Sequence, residues 1–104
     1  MIIVTTNNIS EKNIKKTIGL VKGSTVRTKN FLNDISAAFK NLGSGELVEY
    51  NEMLTEARKI AIGRMVEEAE SLGANAIVGF RLSSSSIMSS PAEIIAYGTA
   101  VFVE

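Results

Sequence analysis

The chain contains neither cysteine nor histidine in its 104 residues. Without cysteine there can be no disulfide, no thiol nucleophile and no zinc ribbon. Without histidine the commonest general base and the commonest transition-metal ligand are both missing. Excess charge is missing too. Eleven basic residues balance eleven acidic ones, so the chain carries no electrostatic footprint for nucleic acid. No stretch approaches the roughly 18 apolar residues of a membrane span. The opening MIIVTTNN has no basic segment ahead of its short apolar run and does not read as a signal peptide. These absences predict a soluble, cytoplasmic protein with no cofactor, no metal site, no nucleic-acid partner and no membrane. The apolar fraction of 45% is that of an ordinary globular chain. The length suits a single domain over residues 1–104.

The segment Val48 to Gly73 carries the clearest pattern. Tyr50, Met53, Leu54, Ala57, Ile60, Ala61, Met65, Ala69 and Leu72 recur at three- and four-residue steps, as on one helix face. Glu49 and Glu52 fall in the first turn, where the helix dipole favours anions. Gly73 stands where a left-handed cap belongs. Ile62 and Val66 lie beyond the main stripe, which suggests a helix covered on two sides. Arg58 falls inside the apolar arc. Two readings are open for it: a packed stem with a wet head, or a buried guanidinium held by a carboxylate. Gly63 in mid-helix costs about 1 kcal/mol against alanine and fits best where another backbone comes close.

The other elements are shorter. Ile2 to Thr6 reads as a strand rich in β-branched residues. Residues 10–16 read as loop running into strand, and Thr17 to Arg27 as a second strand interrupted by Gly19 and Gly23. Asn30 to Leu42 reads as a helix, with Phe31, Ile35, Ala38, Phe39 and Leu42 on one face and Asn30 as its N-cap. Asn75 to Leu82 and Glu93 to Val103 read as strands, the last of them apolar on both faces. Between them SSSSIMSSPA, residues 83–92, reads as a solvated hairpin loop. The order is β-β-α-α-β-β. It predicts an α+β fold in which two helices pack on an antiparallel sheet.

Few groups could carry chemistry. Gly43-Ser44-Gly45 precedes a helix start, where backbone N–H groups can hold an anion. It lacks the lysine and hydroxyl of a phosphate loop and reads more simply as a turn. Glu46, Glu49 and Glu52 could gather a hard cation, but their spacing is not that of a shaped calcium loop. Met53, Met65 and Met88 offer thioethers, although two of them lie on the core face of the helix. Serines abound without a base in sequence relation to any of them. Acid–base work by paired carboxylates has no positive support.

A family resemblance adds to this reading. Ala57-Arg58, Ala61, Met65 and Ala69, followed by Leu72-Gly73-Ala74-Asn75-Ala76-Ile77-Val78-Gly79, resemble the YbjQ-like family, which is of unknown function and labelled "putative heavy-metal-binding". Thr5-Thr6, Gly19-Leu20-Val21-Lys22-Gly23, Asn30, Asp34, Ala37, Tyr50 and Gly98-Thr99-Ala100-Val101 agree with it. The resemblance implies a somewhat dodecin-like α+β subunit that assembles as a ring of five. It also retains Asp34 and Arg58, one on each helix. They read as a salt bridge between helices, or as part of a site with Arg58 at the mouth of a subunit cleft.

The leading reading is a non-enzymatic homo-oligomer, a homopentamer as the resemblance implies, that binds a small ligand, anions among the candidates, at its subunit interfaces. Asp34, Tyr50 and Arg58 are the candidate ligand-binding residues. One alternative is the metal-binding role that the label implies. Soft metals prefer thiolate and imidazole, so the composition predicts weak heavy-metal binding. The other alternative is an enzyme that uses Asp34, Arg58 or Tyr50 in an interface cleft. Assembly has support beyond the resemblance: the wide apolar arc of the long helix, the two-sided last strand, and Gly19, Gly23, Gly79 and Gly98 in strands. Open sheet edges would also seek a partner.

Overall fold

The computed structural model describes residues 1–25, 47–87 and 90–104. The elements are β1 (Ile2–Ile3), β2 (Ile14–Ser24), α1 (Leu47–Ser71), β3 (Ala76–Ile87) and β4 (Ser90–Val103). The fold is α+β, with α1 lying on one four-stranded sheet of order β1-β3-β4-β2. The expected helix over residues 30–42 lies outside the described residues.

The sheet is mixed, which corrects the antiparallel expectation. β1 runs parallel to β3, with Ile2 opposite Ala76 and Ile3 opposite Ile77. The parallel alignment continues past the strand: Val4 N–H donates to Ile77 O at 2.9 Å and Phe80 N–H to Val4 O at 3.0 Å. Parallel pairs need a long connection, and here β2 and α1 both lie between the two strands. The remaining pairs, β3 with β4 and β2 with β4, are antiparallel.

Several boundaries also differ from the sequence reading. β1 has two residues rather than five. β2 begins at Ile14, inside the stretch read as loop. The largest difference is in the serine run. β3 continues to Ile87 and β4 begins at Ser90, with Ser83 opposite Ile95 and Ser84 opposite Ile94. Serine has little strand preference of its own, so the apolar register of β4 imposes the conformation.

α1 ends as its sequence predicts. Gly73 has φ of 85°. Ala74 N–H donates to Ala69 O and Gly73 N–H to Glu70 O, both at 3.1 Å, the paired bonds of a Schellman cap. Asn75 then acts as an extra rung of the sheet. Its Nδ2 donates to Val103 O and its Oδ1 accepts from Val103 N–H, each at 2.8 Å. At the opposite end of β4, Thr25 does the same work. Its N–H donates to Ile94 O at 3.1 Å and its Oγ1 accepts from Ile94 N–H at 3.2 Å.

The core has two unequal parts. Ala57, Ala61, Met65 and Ala69 of α1 pack on Val21, Ile77, Ile94, Ala96 and Ala100. Small side chains let the helix come close, and it comes closest at Gly23. A Cβ there would strike the backbone of Ala61, Arg64 and Met65. On the other face of the sheet, Ala76, Val78, Val101 and Val103 are covered by Val4, Ile9 and Ile14. That cover does not reach the far end of the face, where Leu20 is 69% and Tyr97 37% exposed.

The strand glycines differ in role. Gly98 is confined, since a Cβ would press on the Ile77 side chain at 2.6 Å. Gly19 and Gly79 instead have positive φ at register shifts in β2 and β3, with open space around them. Among the described residues no close approach is made at Gly63, since nothing lies within 4 Å of a Cβ there.

Candidate functional site

Arg58 leaves α1 three turns after its start and stands over the β3–β4 hairpin. With Leu54, Leu82, Ser83, Ser84 and Ile94 it lines a cleft of about 210 Å³. Ile94 is buried, Leu54 half-buried and Leu82 42% exposed. Arg58 itself is exposed, which corrects the buried reading and leaves the wet-headed one. The helical period gives the direction of a side chain. It does not say whether the neighbouring layer extends far enough to cover it.

The cleft pairs a guanidinium with an apolar floor and two serines. A guanidinium offers five donors in a planar fork, suited to carboxylate and phosphate. No carboxylate lines the cleft among the described residues, so nothing there is placed to deprotonate a serine. The arrangement can bind and orient an anion. Of the other candidate residues, Tyr50 lies in the first turns of α1, on the same helix as Arg58, and Asp34 lies outside the described residues. Leu82, Ser83, Ser84 and Ile94 were missed by sequence reasoning. The signal available was the alternation of Ile94, Ala96 and Gly98 on β4, which needs a paired strand beside it.

A second groove of about 600 Å³ runs along the other end of the helix–sheet seam, lined by Lys22, Ser24, Arg64, Glu68 and Glu93 among others. Its arginine is engaged: Arg64 Nη1 donates to Ser24 O at 2.6 Å. Both signs of charge line it, so it lacks the one-sided chemistry of the Arg58 cleft.

The chain was compared with known proteins. The sequence model of the YbjQ family, described as "Putative heavy-metal-binding", matches residues 1–104. The chain belongs to the YbjQ family. Among its relatives is a UPF0145 protein of Clostridioides difficile strain 630, 62% identical over 104 residues, spanning 100% of this chain and 93% of the relative. A UPF0145 protein of Clostridium perfringens strain ATCC 13124 is 64% identical over 104 residues, spanning 100% and 98%. A crystal structure of a protein of unknown function from Pediococcus pentosaceus, assigned to the DUF74 family, aligns with a TM-score of 0.46 at 15% identity, covering 100% of this chain and 98% of that one.

The YbjQ description raises the question of a metal site. The described residues do not fit one. No group of three or more histidine, cysteine, aspartate or glutamate side chains gathers among them, and the whole sequence has no histidine or cysteine. Met65 is fully buried in the core, where packing accounts for its thioether. Glu46, Met88 and the turn at 43–45 lie outside the described residues. No described helix is long and apolar enough to cross a membrane.

Proposed function

We propose that this YbjQ-family chain is a non-enzymatic, cytoplasmic, homo-oligomeric binding protein that holds a small anionic ligand in the Arg58 cleft. The observation that carries this reading is the exposed guanidinium beside an apolar floor and two serines. A carboxylate or phosphate would take the fork of Arg58, and an attached apolar group would lie on Leu54, Leu82 and Ile94. The cleft opens at the surface of one subunit, so a neighbouring subunit would complete it. Asp34 and Tyr50 belong to the proposal as further ligand contacts. A somewhat dodecin-like subunit in a ring of five is also part of it, and there the support is the family resemblance.

Thermal shift against phosphates, carboxylates, nucleotides and divalent metals tests the binding reading. A ligand that binds only the native state, at about 100 times its Kd, stabilises by roughly 2.7 kcal/mol. An organic anion should raise the midpoint of the native protein, and Arg58→Gln should remove that rise. No response to any anion, or an equal response from Arg58→Gln, would overturn the site. Light scattering coupled to size exclusion tests the assembly against the 11.2 kDa of one chain.

A further inference from the structure

The groove at the other end of the helix–sheet seam carries charges of both signs, and the Arg58 cleft uses none of them. It opens beside β2, the last strand in the sheet order, whose outer edge is unpaired among the described residues. Gly23 brings α1 against β2 there, since its missing Cβ leaves room for the backbone of Ala61, Arg64 and Met65. Arg64 is exposed and reaches across this contact to the strand, where its Nη1 donates to Ser24 O at 2.6 Å. A guanidinium has five N–H donors, and this bond takes one of them.

Glu68 stands one turn further along α1, on the same side as Arg64. Opposite charges at this spacing attract one another. Here Arg64 is turned to Ser24 instead, and no described residue engages the Glu68 carboxylate or the Lys22 ammonium. Positive and negative charge are thus held apart along one groove, with Lys22 and Arg64 as its cations and Glu68 and the half-buried Glu93 as its anions. The lining also includes a buried polar group. Thr25 is 3% exposed. Its Oγ1 accepts from Ile94 N–H at 3.2 Å, while its own hydroxyl proton meets no acceptor among the described residues. A buried donor without an acceptor costs free energy, and this one borders the groove.

We infer that this groove binds a small zwitterion, a carboxylate and an ammonium joined by a short carbon skeleton, as in an amino acid or a short peptide. The carboxylate takes the remaining donors of Arg64, with Lys22 and the Thr25 hydroxyl beside them. The ammonium donates to Glu68, and the carbon skeleton lies on Ile95, which is half-buried in the same lining. Charge selects this class of ligand. A lone anion would meet two carboxylates, and a lone cation would meet an ammonium and a guanidinium. A zwitterion finds a partner at each end. The groove, at about 600 Å³, falls within the range of roughly 300–1,000 Å³ usual for small-molecule sites. This second site therefore differs in kind from the Arg58 cleft, which pairs one charge with an apolar floor.

Calorimetry on the native protein with ε-aminocaproate, leucine and alanylalanine compares an ω-amino acid, an α-amino acid and a dipeptide. Hexanoate and hexylamine carry one charge each and serve as controls. Saturable binding of a zwitterion, at least about tenfold tighter than either control, is the expected result. Tightest binding by the dipeptide supports a peptide as the source, and tightest binding by either amino acid supports a free amino acid. Arg64→Gln should weaken the zwitterion by about tenfold or more. Glu68→Gln should remove its advantage over hexanoate, a readout that a merely structural role would not move. Both residues are exposed, so neither change opens the core. In amide spectra of the nitrogen-labelled protein, the signals of Gly23, Thr25 and Glu93 should move on titration. No saturation by any of the zwitterions at about 10 mM, or equal binding of zwitterion and hexanoate by the native protein, would overturn the inference. Shifts confined to Leu82, Ser83 and Ser84 would assign the binding to the Arg58 cleft and equally overturn it. An unchanged preference in Glu68→Gln would do the same, leaving Arg64 as a cap on the strand edge.

Discussion

Gly23→Ala should be the most damaging single-methyl addition to the described fold. The added Cβ meets the backbone of Ala61, Arg64 and Met65, not the end of a flexible side chain. No rotamer change relieves such an overlap, so the helix must withdraw by about 1 Å to reach ordinary carbon–oxygen separations. A gap of that size forfeits roughly a quarter to a half of each contact it opens, along a seam that includes Ala57, Ala61, Met65 and Val21. Overpacking a well-filled core costs about 1–3 kcal/mol and occasionally more. The upper end applies here, because a whole helix moves. A loss of about 3 kcal/mol is a large share of the roughly 5–15 kcal/mol that holds a domain together. At roughly 4–8 °C per kcal/mol, the midpoint should fall by more than 10 °C. The chain has no tryptophan, so urea denaturation followed by far-UV circular dichroism, at one fixed protein concentration, is the suitable assay. Gly63→Ala is the internal comparison: within one subunit it adds a methyl to open space on an exposed helix face. A Gly23→Ala loss below about 1 kcal/mol, under the usual range for overpacking, would refute backbone-on-backbone packing at this point.

Three further outcomes follow from the same structure. Asn75→Ala removes both hydrogen bonds to Val103 and should cost about 1–3 kcal/mol by chemical denaturation. Hydrogen exchange should locate the loss at the β3–β4 end nearest the helix cap. Arg58→Ala should change stability by less than about 1 kcal/mol, because the side chain is exposed; a loss of about 3 kcal/mol or more would restore the buried, paired reading. Calorimetry with Zn²⁺, Cd²⁺ and Cu²⁺ should give no dissociation constant tighter than about micromolar, roughly −8 kcal/mol. A stoichiometric nanomolar site would refute the argument from donor chemistry.

What the sequence revealed depended on how local the cause was. The long helix was legible to within two residues at each end, because its period and its capping glycine are written in consecutive residues. The last strand was legible from its run of residues apolar on both faces. The parallel partner of β1 was not, since Ile2 and Ala76 are joined by nothing that either neighbourhood encodes. The serine run shows the same limit. Residues 83–87 are strand because β4 lies beside them, and their own composition points to a loop. The candidate site suffered twice from this. The direction of Arg58 was readable, but its exposure depends on how far the sheet reaches beneath it. The other wall of the cleft runs from Leu82, the end of a strand that the sequence showed, into Ser83 and Ser84, which lay in the stretch read as a solvated loop.

The stretch from Gly73 to Gly79 carries much of the likeness to the family, and its role here is architectural. Gly73 turns the chain out of the helix, Asn75 laces it to the end of β4, and Gly79 makes room for a shift in register. None of the three faces the Arg58 cleft. A chain can therefore inherit this signature whole, and the shape with it, while the residues that meet a ligand are free to drift. Kinship read from such a stretch is a statement about scaffolding. Two members that share it could hold unlike molecules, and a chemical label passed along that thread has to be earned afresh by the side chains of each member.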